Sequence, residues 1–137
     1  MFKISPIQDE NEKKLYLEKC GGVSVDGYFA YKMIDEESGE LMGVSQFEIS
    51  KDYGYINDLR EPKGRADFEA MFILGRATMN FIDLCGPHKC RAARNAGDER
   101  LIKAIGFKLD LGGEYFADMT DMFSGHCDGK TVDLNEK

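Results

Sequence analysis

The sequence predicts an α/β (α+β) fold in which a mixed, mostly antiparallel central sheet of about seven strands is flanked by helices. Two observations lead to this fold class. Short segments of alternating polar and apolar residues recur along the chain, each bounded by turn residues. Other segments follow helical periodicity, and the strongest of them carries an apolar stripe of Phe68, Met71, Phe72, Met79 and Ile82. The predicted order is β-α-β-β-β-α-β-α-β-β.

The chain starts with a strand and a charged helix. Phe2–Ser5 alternates as an edge strand, and Glu10–Cys20 is predicted to be helical. Asp9 and Glu12 have the spacing of a capping box at the start of this helix. Gly21 and the glycine after it end the helix.

A three-strand meander follows. The predicted strands are Val25–Asp35, Leu41–Ile49 and Tyr53–Arg60. Acidic and glycine residues at 36–40 and polar residues at 50–52 form the two turns between them. The sequence therefore predicts antiparallel pairing of these three strands.

The stretch after the meander predicts an anion-binding turn. The loop Glu61–Asp67 joins the third strand of the meander to a long helix that begins at Phe68 and stops at Gly86-Pro87. A strand, a glycine loop and a helix start place backbone N–H groups and a positive helix end at one spot. Most turns of this kind bind no ligand, so this geometry alone is a weak indication of a phosphate site.

The last third of the chain alternates strands with one short helix. Cys90–Ala93 is predicted as a strand and Asp98–Ile105 as a helix, with Gly106 as its C-terminal cap. Two final strands are predicted at Phe107–Leu111 and Tyr115–Phe123.

Length and charge limit the possible functions. The 137 residues, 42% of them apolar, are enough for a single domain with its own core. We expect that domain over residues 1–127, followed by a polar tail at 128–137. The net charge is −7, from 18 basic and 25 acidic residues, so nucleic acid and anionic membranes are poor partners. Two local basic clusters could still bind a small phosphate ligand: Arg60, Lys63 and Arg65, and then Lys89, Arg91 and Arg94.

The first residues contain no apolar signal-like segment, and no apolar run is long enough to span a membrane. We therefore expect a cytoplasmic protein. In that compartment Cys20, Cys85, Cys90 and Cys127 stay reduced and do not form a disulfide framework.

Two segments resemble a known family. The meander Leu41–Arg60 enters a loop and a long helix, as in the coenzyme A motif of the GNAT superfamily of acyl-CoA N-acyltransferases. The segment from Asn95 to Gly106-Phe107 is similar to the N-x(10)-G-F ending of that family. The resemblance covers roughly Phe2 to Phe123, and its specificity rests on topology and on this ending.

The resemblance implies that the chain is a single-domain N-acetyltransferase that transfers an acetyl group from acetyl-CoA to a primary amine by direct attack. It also implies a cofactor site. The amides that would hold the pyrophosphate belong to Gly64, Arg65, Ala66, Asp67 and Phe68. Lys63 and Arg65 would add positive charge, and amides near Leu59 and Arg60 would stabilise the oxyanion of the transition state.

The chain departs from the family pattern at two places. The family loop reads [QR]-x-x-G-x-[GA], whereas Lys63–Phe68 places Ala66 and Phe68 at glycine positions, where side chains hinder close approach. Asp67 would repel a phosphate unless its side chain caps the helix. Ile102 occupies the position of the family's tyrosine, which protonates the leaving thiolate, and Tyr115 is a possible substitute.

The reaction also needs a base for the ammonium group of the acceptor, usually acting through water. Such a base is commonly a carboxylate on or just after the fourth strand, which makes Asp58 and Glu61 the candidates. Both have an ordinary alternative as a solvated strand edge and a loop charge. Asn95 could bond to cofactor or substrate, or could simply cap the following helix.

Two further interpretations remain open from the sequence. A GNAT-fold protein that has lost catalysis could serve as an acyl-CoA-binding or protein-interaction module, as Ile102 and Phe68 suggest. Alternatively, a structural zinc site could form if one end of the sheet brings together the thiols and imidazoles of Cys85, His88, Cys90, His126 and Cys127. We assign no metal ligand, because the spacing lacks the usual C-x-x-C pairs. The acceptor could be a small-molecule or peptide amine, and a homodimer through sheet edges is possible.

Overall fold

The computed structural model describes residues 1–123. Seven strands form one sheet in the order β1-β2-β3-β4-β5-β7-β6. The strands are β1 Phe2–Pro6, β2 Phe29–Asp35, β3 Leu41–Ile49, β4 Gly54–Arg60, β5 Lys89–Ala92, β6 Lys108–Leu109 and β7 Tyr115–Asp118. The helices are α1 Glu10–Lys19, α2 Phe68–Leu84 and α3 Glu99–Ala104. The fold class and the order of elements predicted from the sequence are confirmed.

Every strand pair in the described sheet is antiparallel except one. β4 and β5 are parallel, with Gly54 opposite Cys90 and Ile56 opposite Ala92. The connection between them is the 61–67 loop and helix α2, as a parallel pair requires. β7 lies antiparallel beside β5. The described sheet therefore has β1 and β6 at its edges.

The two faces of the sheet carry different layers. Helices α2 and α3 cover one face and bury the main core, which includes Met33, Phe47 and Leu59. Helix α1 lies on the opposite face, where Leu17 packs with Val44 in a smaller cluster. Within residues 1–123 no helix is both long and apolar enough to cross a membrane.

Strand β4 contains a bulge that changes the direction of its side chains. Gln46 lies opposite Asp58 but Phe47 lies opposite Ile56, so Asn57 has no partner in β3. A bulge of this kind bends the strand and redirects its side chains. As a result Ile56 and Leu59 both point into the main core, while Asp58 points to the side of α1.

Several predicted strands are too long. β2 begins at Phe29 and not at Val25, because the N–H of Val25 donates to the side chain of Gln46 instead of a neighbouring strand. β7 ends at Asp118, whose carboxylate accepts the N–H of Thr120 and turns the chain. The predicted strand Phe107–Leu111 is reduced to Lys108–Leu109. The predicted domain end at residue 127 and the tail at 128–137 lie outside the described residues.

The connection between α1 and β2 is anchored by a buried lysine. Lys13 is 1% exposed, and its Nζ donates to the carbonyl oxygens of Val25 at 2.7 Å and Tyr28 at 2.9 Å. Glu10 lies 3.4 Å from the same ammonium group. A buried charge is tolerated only when it is paired and hydrogen-bonded, and both conditions hold here. Lys13 therefore fixes the position of the segment that precedes β2.

We expect Lys13→Ala to lower the free energy of unfolding by about 2–4 kcal/mol, because it leaves two carbonyl groups without a donor and creates a cavity. Lys14→Ala, at an exposed position of the same helix, is the matched control and should change stability by less than about 0.5 kcal/mol. Chemical denaturation measures both variants. Equal effects would show that Lys13 is not an anchor.

Candidate functional site

The loop between β4 and α2 is built around one glycine and one capping carboxylate. Gly64 has a φ of +88°, a left-handed conformation that favours glycine. Asp67 caps α2, because its Oδ1 accepts the N–H of Ala70 at 3.0 Å. This is the orientation in which the Asp67 carboxylate avoids a bound phosphate. The capping carboxylate is therefore directed at the first turn of the helix.

The conformation of Gly64 favours a second alignment with the family loop. The residue of this loop with left-handed φ is the one that corresponds to the glycine of [QR]-x-x-G-x-[GA]. Ala66 then stands at the [GA] position, which it satisfies, and Glu61 stands at [QR]. In this second alignment Phe68 lies outside the pattern, and Glu61 is the residue of the loop that departs from it.

Glu61 already occupies part of the predicted phosphate cradle. Its Oε1 accepts the N–H of Asp67 at 3.1 Å. The N–H of Arg65 donates to the carbonyl of Pro62 at 3.1 Å and is also engaged. Within the described residues, the amides of Gly64, Ala66 and Phe68 have no hydrogen-bond acceptor, so they are the ones available to an anion.

The same loop forms one wall of a cavity of about 930 Å³. The cavity lies between the loop, the C-terminal end of α1 and the turn between β2 and β3. Lys63, Gly64, Arg65, Ala66 and Asp67 all line it. Tyr16 and Lys19 of α1 line it as well, and sequence reasoning did not associate them with this loop because α1 is distant in the chain.

The cations near the loop differ in availability. Arg65 is bound to Glu40 at 2.7 Å, and Arg60 is bound to Asp58 at 2.6 Å. Lys63 is exposed and has no carboxylate within 4 Å among the described residues. Lys63 is therefore the free cation of the predicted set.

Arg100 is a further cation that the sequence analysis missed. Its guanidinium carbon lies 4.1 Å from the centre of the Phe68 ring, at the first turn of α2. The side chain is exposed and lacks a carboxylate partner among residues 1–123. Arg100 could not be found from the sequence, because a cation–π contact between the first turns of two helices has no sequence motif.

Asp58 is buried, contrary to its interpretation as a solvated strand edge. It is 2% exposed. Oδ2 accepts from Gln46 Nε2 at 2.6 Å and from Asn57 Nδ2 at 2.8 Å, and Oδ1 accepts from Arg60 Nε at 2.6 Å. Since a carboxylate can accept about four hydrogen bonds, one acceptor position remains.

Leu59 and Arg60 direct their amides to opposite sides of β4. The N–H of Leu59 points toward β5 and donates to the carbonyl of Ala96 at 2.8 Å. Arg60 lies opposite Val44 of β3, and the alternation of backbone groups turns its amide in that direction. Of the two predicted oxyanion donors, Leu59 is therefore the one on the β5 side.

The residues considered for protonating the thiolate are both buried. Ile102, which stands at the position of the family's tyrosine, is 0% exposed and packs in the main core. Tyr115 is 2% exposed and packs edge-on against Phe107, with ring centres 6.4 Å apart. Neither side chain faces solvent.

Asn95 does not cap α3. The cap is Asp98, whose Oδ2 accepts the N–H of Leu101 at 3.2 Å. The backbone carbonyl of Asn95 accepts Arg60 Nη2 at 2.8 Å. The exposed side chain of Asn95 has no hydrogen-bond partner among residues 1–123, so the capping explanation for this residue was wrong.

The opposite end of the sheet holds Cys85, His88 and Cys90. β7 ends beside the start of β5, and His88 Nδ1 lies 2.6 Å from Asp83 Oδ1. Cys85 is exposed, whereas Cys90 is buried and this burial raises its pKa to about 12. Residues 1–123 contain no group of three or more metal-ligating side chains. His126 and Cys127 lie outside the described residues.

Comparison with known proteins defines the class of the fold. No family model and no curated protein matches the sequence. Among solved structures, the ribosomal-protein-S18-alanine N-acetyltransferase of Escherichia coli has a TM-score of 0.62 over 85% of this chain and 89% of its own, at 11% identity. The chain therefore has the GNAT N-acyltransferase fold.

Two other similar structures contain coenzyme A. E. coli YhhK bound to coenzyme A has a TM-score of 0.57 at 16% identity, over 86% of this chain and 98% of its own. A chain of the NatC complex bound to Gag peptide and CoA has a TM-score of 0.63 at 12% identity, over 85% of this chain and 98% of its own. At these identities the likeness is one of fold.

Proposed function

We propose that this protein is an acetyl-CoA-dependent N-acetyltransferase whose acceptor is a primary amine of a small molecule or peptide. One observation carries the proposal. On a GNAT fold, Leu59 presents an amide on the β5 side of β4, and the neighbouring Asp58 presents a carboxylate toward α1. An oxyanion donor and a base on adjacent residues are what acyl transfer to an amine needs.

The pyrophosphate of acetyl-CoA would bind at the start of α2. The free amides of Gly64, Ala66 and Phe68 and the positive end of a 17-residue helix favour an anion there. Lys63 and Arg100 supply mobile positive charge at the same place. No metal is needed for this mode of binding.

The reaction would proceed by direct attack. The acceptor loses a proton to Asp58, directly or through water, and its nitrogen forms a bond with the thioester carbon. The carbonyl oxygen becomes an oxyanion that accepts the N–H of Leu59. The C–S bond then breaks, solvent takes the second proton from the nitrogen to give the neutral amide, and solvent protonates the thiolate, since Ile102 cannot.

Glu61 is the weaker candidate for the base. Its carboxylate bonds to the amide of Asp67, at the end of the site that would hold the pyrophosphate. In acetyl-CoA the pantetheine arm separates the pyrophosphate from the thioester, so a group at the cradle is remote from the reacting carbon. Asp58, next to Leu59 in β4, is the carboxylate on the reacting side.

One observation favours a second candidate function, a binding module without catalysis. Ile102 fills the position of the family's tyrosine and is fully buried, so no proton donor stands there. Such a module would bind acetyl-CoA without turning it over. An amine screen on protein that binds the cofactor separates the two functions. A homodimer through the β1 or β6 edge is compatible with both.

The cofactor site is tested by a pair of glycine substitutions. Gly64→Ala and Gly27→Ala introduce the same side chain at φ values of +88° and +87°, and each should cost about 1–2 kcal/mol of stability. Only Gly64→Ala should weaken acetyl-CoA binding, by about tenfold or more, because alanine disfavours a φ of +88° and the loop would leave the conformation that presents its amides. Isothermal titration measures the affinity. Equal affinities for the two variants would place the cofactor elsewhere.

The base is tested by Asp58→Asn. We expect kcat to fall about 100-fold or more with KM for acetyl-CoA little changed, because an amide cannot take the proton from the acceptor. Asp52→Asn, in the exposed turn before β4, is the control and should leave the kinetics unaltered. A kcat close to that of the wild type, or a loss explained by unfolding in chemical denaturation, would contradict a catalytic role for Asp58.

The role of Glu61 is tested by Glu61→Gln. Removal of a negative charge beside the cradle should tighten acetyl-CoA binding roughly three- to tenfold, since repulsion between like charges near a surface costs on the order of 1 kcal/mol. The rate constant kcat should stay within about twofold. Glu36→Gln, in an exposed turn, is the control for net charge. A large loss of kcat in Glu61→Gln would instead identify Glu61 as the base.

A further inference from the structure

The segment 93–97, between β5 and α3, is docked on the edge of β4. The N–H of Ala93 donates to the carbonyl of Ile56 at 2.9 Å, and the carbonyl of Ala96 accepts the N–H of Leu59 at 2.8 Å. Arg60 Nη2 donates to the carbonyl of Asn95 at 2.8 Å. These three bonds hold segment 93–97 where the parallel strand β5 would otherwise continue.

Small side chains make this contact possible. Ala96 is fully buried against β4. At Gly97 a Cβ atom would clash with the carbonyl oxygen of Leu59. The backbone of Gly97 does not have a left-handed φ, so the glycine is required by the close approach and not by its conformation. Any larger residue at position 97 has to push the segment away from Leu59.

The docked segment occupies the donor that acyl transfer would use. The N–H of Leu59 has a single hydrogen, and it is committed to Ala96. A thioester oxygen that accepts this hydrogen has to displace the carbonyl of Ala96. The same displacement frees the guanidinium of Arg60 from Asn95, so one movement uncovers two residues of the predicted cofactor site.

We propose that segment 93–97 is an autoinhibitory latch, which closes the acyl-donor site in the free protein and is released when acetyl-CoA binds. This inference rests on the proposed function. The apparent affinity for acetyl-CoA is then the intrinsic affinity reduced by the fraction of molecules with an open latch. A substitution that opens the latch without touching the cofactor should strengthen binding.

Gly97→Ala is that substitution, and Gly112→Ala is its matched control. At Gly112 a Cβ would lie 3.5 Å from the Asp110 carboxylate, an ordinary contact, at a φ that alanine adopts. By titration calorimetry we expect Gly97→Ala to bind acetyl-CoA about fivefold or more tightly than the wild type. Gly112→Ala should bind like the wild type.

Unchanged or weaker binding by folded Gly97→Ala, with wild-type binding intact, would overturn the latch and leave the proposed function standing. Failure of all three proteins to bind acetyl-CoA would overturn both. Binding by Gly97→Ala alone would support both. The two hypotheses therefore fail in distinguishable ways.

A second measurement uses the wild-type protein and does not depend on whether the variant folds. NMR detects scalar coupling across a hydrogen bond, here between the amide nitrogen of Leu59 and the carbonyl carbon of Ala96. We expect this coupling in the free protein and its loss at saturating acetyl-CoA. Persistence of the coupling at saturation would rule out the latch.

Discussion

The parallel pairing of β4 and β5 is the constraint on which the rest of the structure depends. Two parallel strands cannot be joined by a tight turn, so the chain has to cross the sheet between them. The crossover is the 61–67 loop and α2, whose apolar stripe packs on the main core. The loop therefore starts at the carboxyl end of β4, and the amino end of α2 lies beside it. The anion-binding geometry is a consequence of this one pairing.

Strand β5 is shorter than β4, so the carboxyl end of β4 extends beyond it. β5 ends at Ala92, opposite Ile56, so the remaining hydrogen-bonding groups of β4 would face solvent or a ligand. Unpaired backbone N–H and C=O groups at a strand edge can form hydrogen bonds with another segment. In this chain segment 93–97 supplies one, because its alanines and Gly97 are small enough to approach Leu59. The predicted oxyanion donor is thereby satisfied within the chain.

Buried polar groups hold the other side of the site in place. Gln46 is fully buried and joins Asp58 to the segment before β2, through hydrogen bonds to the backbone of Val23 and Val25. Lys13 anchors the same segment from α1. Every buried side-chain nitrogen and oxygen among the described residues has a hydrogen-bond partner. Because an unsatisfied buried polar group is costly, such networks specify one arrangement of the segment before β2 and of the Asp58 carboxylate.

Local chemistry made most of the architecture predictable. Apolar periodicity set the order and type of the elements, and β3 was predicted with its observed bounds. Asp9 caps α1 as its spacing with Glu12 indicated, and Asp67 caps α2. These features depend on residues within a few positions of each other, so the sequence records them directly.

The site was predictable only in part, because its contacts join distant residues. The loop and its glycine were found from the sequence, but the left-handed φ of Gly64 appeared only in the structure. The bulge at Asn57, the burial of Asp58 and the bond from Leu59 to Ala96 result from the pairing of strands far apart in the chain. By itself the sequence determined which elements form, and it predicted an anion site at the loop between β4 and α2. The tertiary structure decided which donors are free, because hydrogen bonds between distant segments depend on register and close approach, which no local pattern encodes.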